Sequence, residues 1–314
     1  MRLSSPLRWL TAPAVEPVPR LQAGAAATLR ILVGLLWLYN VAWKRAPDFG
    51  REAGNGLYKF TSYAVSDPVL PPYSWVVENV VLKAFTPFGW LVLLAETTLA
   101  VLLLTGSWVR LAAVLGLAQS VAIGLSVAFA PEEWPWSYWL MIGAHGLLLF
   151  SSAGRVLAVD GVRAGVTSAR RLGQVWGWAA ILVAAYSVVA SLDDPLAAGG
   201  PSLASSDWSF SVGSYNLVGG LVLAMVGALL VAAAHTRTTQ IARAAAVVAT
   251  LAGLSLHVQL GFSDPILGGN ATSAAVYFSL ALVGLALSLW PTPDHGTTDS
   301  ADEYTAVAPE GSPS

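Results

Sequence analysis

Phe88-Gly89-Trp90-Leu91-Val92-Leu93-Leu94-Ala95-Glu96-Thr97-Thr98-Leu99-Ala100-Val101-Leu102-Leu103-Leu104-Thr105-Gly106 is a membrane-length apolar run with one carboxylate in its middle. About 20 apolar residues suffice to cross a bilayer as a helix. Runs of this kind recur, at roughly 24–43, 88–106, 110–129, 136–153, 172–191, 213–234, 242–260 and 272–290. A spanning barrel would instead show alternating segments of about 10 residues, so the spans are helices. The expected fold is an all-α integral membrane protein of about eight transmembrane helices. A composition of 55% hydrophobic and 11% charged residues excludes an ordinary soluble domain.

Lys and Arg divide unevenly between the two sides of these spans. Arg2, Arg8, Arg20, Arg110, Arg155, Arg163, Arg170, Arg171, Arg237 and Arg243 collect on one side. The opposite turns carry Glu132, Glu133, Asp193, Asp194, Asp207 and Asp264 without a basic residue. The positive-inside rule then predicts a multi-pass cell-membrane protein with both termini cytoplasmic. The N-terminal stretch holds Pro6, Pro13, Pro17 and Pro19 but no apolar core, so it reads as a cytoplasmic segment and not a cleaved signal.

Four segments follow: residues 1–23 as that N-terminal segment, 24–160 as a first four-helix unit, 161–290 as a second, and 291–314 as a disordered acidic tail. A long external loop, 44–87, interrupts the first unit. It mixes Lys44, Arg45, Arg51, Lys59 and Lys83 with several acids and many aromatic residues, which is more than a connector needs. Its part near Tyr73–Phe85 is expected to lie as an amphipathic segment over the mouth of the bundle.

Charged and hydrogen-bonding groups inside hydrocarbon persist where they pair, face the bundle interior or serve a function. Arg30, Glu96, Gln119 and His145 sit on four successive spans. At 1.5 Å per residue, Glu96, Gln119 and His145 fall at about 13–14 Å from the cytoplasmic end and Arg30 at about 9 Å. A single converging site is expected, with Glu96 paired to Arg30 or His145. Glu96 and His145 are the candidate proton-transfer residues. Arg30, Gly34, Trp37, Val41 and Lys44 form one helical stripe, read either as a packing face or as a slot for a lipid-like headgroup. Arg30, Trp37, Lys44 and Gln119 are therefore the candidate cofactor-binding residues. No metal site is expected, because no His or carboxylate stands at i+3 or i+4 from His145.

Cysteine is absent. That excludes a cysteine-ligated iron–sulfur cluster or a thiolate haem on this chain, so electron chemistry needs a dissociable cofactor or a partner. The net charge of −2 gives no reason to expect nucleic acid as a partner.

Leu29-Arg30-Ile31-Leu32-Val33-Gly34-Leu35-Leu36-Trp37-Leu38-Tyr39-Asn40 with Trp43-Lys44, Phe88-Gly89-Trp90 leading to Glu96, and Glu133-Trp134-Pro135-Trp136-Ser137-Tyr138 with His145 and Gly154-Arg155 resemble the DoxX/DoxD family. The resemblance covers about residues 24–160. It implies a four-helix membrane fold like the small membrane subunit of thiosulfate:quinone oxidoreductase. It also implies an oxidoreductase subunit with a quinone as cofactor and a redox partner subunit beside the lipid bilayer. The alternatives are a non-catalytic membrane anchor or scaffold for a partner enzyme, and a small-molecule transporter.

Overall fold

A computed structural model describes residues 6–290; the predicted acidic tail lies outside them. The chain is an all-α membrane protein. A short α1 (Pro6–Thr11) leads through an extended stretch to α2 (Arg20–Ala42). The loop that follows folds into α3 (Gly56–Ser66) and α4 (Pro71–Val76), the latter running into a π-helical turn at Val77–Val81. Next come α5 (Phe85–Thr105), α6 (Val109–Val127), α7 (Pro135–Phe150), a short α8 (Val159–Arg163) and α9 (Ala169–Ala190). A small antiparallel hairpin, β1 (Ser202–Ser205) and β2 (Phe210–Ser214), precedes α10 (Leu217–Thr236), α11 (Thr239–Gln259) and α12 (Ala271–Leu289).

Seven of these helices, α2, α5, α6, α9, α10, α11 and α12, are long and apolar enough to cross a membrane. The eighth expected span is α7, which has 16 residues, about 24 Å at the usual helical rise. It is shorter than the expected 136–153 because Ser151 turns to extended backbone. That geometry lets Gly154 N–H donate to Ala14 O at 3.0 Å. The first turn of α7 holds Tyr138, bonded to Glu133, and beyond its last turn Gly154 meets the N-terminal segment at Ala14.

Local signals place the other boundaries. Gly106 ends α5 in the left-handed region (φ 66°), with its N–H turned back to Leu102 O and Leu103 O. Ser168 and Asn216 cap α9 and α10 through their side chains, and Asn270 with Ser273 forms a capping box on α12. Within the spans, apolar burial inside the protein is concentrated in α5 and α12, the two most enclosed candidate spans.

One apolar core joins α9–α12, and a second joins α2, α5, α6 and α7. Both include α12: Ala274 and Tyr277 pack in the first, Ala275 in the second. The two helix sets therefore share α12 as a common wall. The hairpin stands between two spans where the sequence analysis expected no strand; its tip leaves Trp208 exposed.

The two ends of the bundle differ in chemistry. At one end, Asp160 Oδ1 and Oδ2 accept Trp108 N–H and Val109 N–H at 3.0 and 3.1 Å, capping α6, and Arg163 pairs with Asp160 at 2.8 Å. Burial pushes the Asp160 carboxyl upward, against the lowering effect of those backbone donors and Arg163. Arg110 pairs with Glu16, and Arg155 Nη1 donates to Val15 O at 2.9 Å. These bonds tie the N-terminal segment, α6 and α8 together at the Arg163 end. The other end carries the Glu133 turn, α3, α4 and the hairpin.

Candidate functional site

The four residues expected to converge do not. They separate into three arrangements, because helix rotation directs groups at similar depth toward different neighbours.

Arg30 is fully buried and bonds to backbone. Its Nη1 donates to Leu103 O and Leu104 O at 2.8 and 3.2 Å, and its Nη2 to Val156 O and Leu157 O at 3.2 and 3.0 Å. The last carbonyls of a helix have no intrahelical partner. Here a guanidinium satisfies those of α5 and ties them to the segment before α8. Gly106 makes room for it: a Cβ there would stand 2.3 Å from Nη1.

His145 is bonded at both nitrogens. Nδ1 donates to Met141 O at 2.7 Å, and Nε2 accepts Trp37 Nε1–H at 2.9 Å. These roles fix a neutral imidazole with Nδ1 protonated. Gly116 of α6 lets the ring approach, since an added Cβ would lie 2.1 Å from it. Gly116→Ala is therefore expected to displace His145 and destabilise the protein by about 1–3 kcal/mol, as overpacking does. Thermal unfolding in detergent, with loss of the buried-indole near-UV signal, measures it; an unchanged midpoint would show that the ring has slack.

Glu96 pairs with Lys44, and neither expected partner, Arg30 nor His145, bonds it. Nζ of Lys44 stands 2.5 Å from Glu96 Oε2, both side chains essentially inaccessible at 2% and 1%. The ammonium also donates to Asn40 O at 2.9 Å and lies 3.9 Å above the Trp43 ring. Gln119 Nε2 reaches Glu96 Oε1 at 3.5 Å. Lys44 is buried, and Leu57, Phe60 and Thr61 of α3 join it in lining one cavity.

This trio forms the polar end of a cavity of about 530 Å³. Tyr39, Trp43, Phe60, Phe88, Ile123 and Met141 make its apolar wall. Toward the Glu133 end, the Tyr73 hydroxyl lies 2.9 Å from Ser126 Oγ and donates to Ala122 O at 3.1 Å. There too, Tyr138 donates to Glu133 Oε2 at 2.5 Å. Tyr73 thus brings α4 against α6, where the sequence led us to expect a cover over the mouth.

Of the sequence-derived candidates, Glu96, Lys44 and Gln119 line this cavity, whereas Arg30, Trp37 and His145 lie outside its lining. Tyr73, Ser126, Tyr138 and Glu133 were missed as site residues. Their signal was present in the aromatic loop and in the Glu133–Tyr138 turn, both of which also read as interfacial anchors. Among the described residues no cluster of His and carboxylate groups is arranged to hold a metal. No family model, curated protein or solved structure matches the chain.

Proposed function

We propose that the protein is a DoxX/DoxD-like membrane subunit whose cavity binds the ring of a quinone, or a similar isoprenoid headgroup, on behalf of a redox partner. The observation that carries this reading is an apolar, aromatic-walled cavity that ends on a buried Lys–Glu–Gln trio. Its volume lies within the roughly 300–1,000 Å³ of small-molecule sites. Lys44 Nζ and Gln119 Nε2 are donors suited to a ring carbonyl oxygen, and the Tyr39–Phe60–Ile123 wall suits an isoprenoid chain. Reducing a quinone takes two electrons and two protons. In this reading the partner supplies the electrons and Glu96 relays a proton to the ring oxygen. The Arg163 end faces the cytoplasm of a cell-membrane protein in this reading, as its arginines favour.

Binding of decylubiquinone to the purified protein tests it. Saturable binding is expected, weakened about tenfold or more in Gln119→Leu, which removes one donor to the ring while leaving the ion pair in place. Absence of saturable binding would overturn the reading.

A second reading, a membrane anchor without chemistry, is favoured by Arg30 and His145, whose bonds are wholly structural. It predicts no quinone binding, with Lys44 and Glu96 acting only to hold α2 against α5.

A further inference from the structure

The Lys44–Glu96 pair sits deep, but the polar groups around it are not evenly distributed. Toward the Arg163 end, α5 continues through Leu99, Ala100 and Leu103, each buried, against Val33 and Trp37 of α2, Ala113 of α6 and Leu148 of α7. The ionisable side chains on that side are all bonded: His145 at both nitrogens, Arg30 to four carbonyls, and beyond them Asp160 with Arg163 and Arg110 with Glu16. Toward the other end the cavity carries Tyr39, Tyr73, Tyr138 and Glu133. Gln119 and Ser126 are seven residues apart on α6, so the lining covers about 10 Å of depth between them. Glu133 is only partly buried and so reaches solvent.

We infer that the Glu133–Tyr138 pair is the proton-exchange station of this cavity, linking the buried Lys44–Glu96 pair to the aqueous phase at the Glu133 end and to no other. The inference rests on reading that pair as the working end of a binding site. The transfer is a relay of hydrogen bonds. A proton leaving the buried pair passes through cavity water to the Tyr138 oxygen, as the Tyr138 proton moves to Glu133 Oε2; Glu133 then releases it to solvent. Uptake runs the same steps in reverse. A carboxylate can only accept, so Tyr138 is the donor of the 2.5 Å bond, which ends on the half-buried Glu133. Ser126 and Tyr73 bond to each other and donate to Ala122 O, which leaves their oxygen lone pairs as acceptors for the water between.

The test needs no quinone, so its failure is distinct from failure of the binding reading. Lys44, Lys59 and Lys83 are the lysines of the chain, so ¹⁵N-lysine labelling of the full protein in lipid vesicles gives few Nζ signals, assigned with Lys59→Arg and Lys83→Arg. Proton exchange between water and Lys44 Nζ is expected to slow by about tenfold or more in Tyr138→Phe and in Glu133→Gln. The Lys44 chemical shift is expected to stay in place, showing that the pair remains formed. Exchange unchanged in both variants would overturn the inference. The side of access is tested in the natural cysteine-free background by Ala122→Cys, on the cavity wall. A membrane-impermeant thiol reagent is expected to label it from the Glu133 face of sealed vesicles. Labelling from the Arg163 face, or from neither, would overturn the inference whatever the variants do.

Discussion

Glu96→Gln is expected to destabilise the protein by roughly 3–5 kcal/mol, because it leaves the Lys44 ammonium buried without its counter-charge. Lys44→Met should cost a similar amount by stranding the carboxylate. The double variant Lys44→Met/Glu96→Gln removes both charges and should recover most of the loss, since a buried pair gains little over apolar neighbours once desolvation is counted. A double-mutant cycle on unfolding in detergent measures the coupling. Additive losses would mean that the two charges do not depend on each other, against the 2.5 Å contact. The same cycle separates structure from chemistry. If the double variant folds normally yet fails to bind decylubiquinone, the pair serves the ligand as well as the fold.

Arg30→Lys should be nearly as damaging as Arg30→Leu, at about 3 kcal/mol or more. The planar guanidinium holds four carbonyls from two segments at once; an ammonium on a flexible stem offers three donors in the wrong geometry. The loss should appear first at the C-terminal turn of α5 and the segment before α8, as faster amide exchange at Gly106 and Ser107. Ligand binding in the cavity should be largely kept, since Arg30 is not part of its lining. An Arg30→Lys protein as stable as the parent would contradict the capping role assigned here.

The helices were legible in the sequence because membrane-length apolar runs leave few alternatives. The stripe Arg30–Gly34–Trp37–Val41–Lys44 was legible as well, and it is the face that α2 buries. What failed was pairing. Depth along a helix follows from residue number, but the direction of a side chain depends on how each helix is rotated by its neighbours. Glu96 and His145 are near one level and yet serve different partners. Lys44 read as the start of the external loop and as a cofactor-binding candidate, not as the partner of Glu96, because nothing local shows that the loop 44–87 will fold over it. Arg30 read as a counter-charge, whereas backbone carbonyls at a helix end satisfy it. A sequence pattern does not reveal unpaired carbonyls until the helix end is placed. The division into two helix units is likewise incomplete, since α12 belongs to both cores.

In the proposed function, the cavity ending on Lys44, Glu96 and Gln119 holds a quinone-like ring. Photolabelling of the full protein in vesicles with an azidoquinone, followed by peptide mapping, tests it most directly. Adducts are expected on Tyr39–Lys44, at the end of α2 and just beyond it, and on the α6 stretch Gln119–Val127, suppressed by excess decylubiquinone. Adducts confined to the outward surfaces of α9–α11, or labelling that decylubiquinone does not suppress, would contradict it.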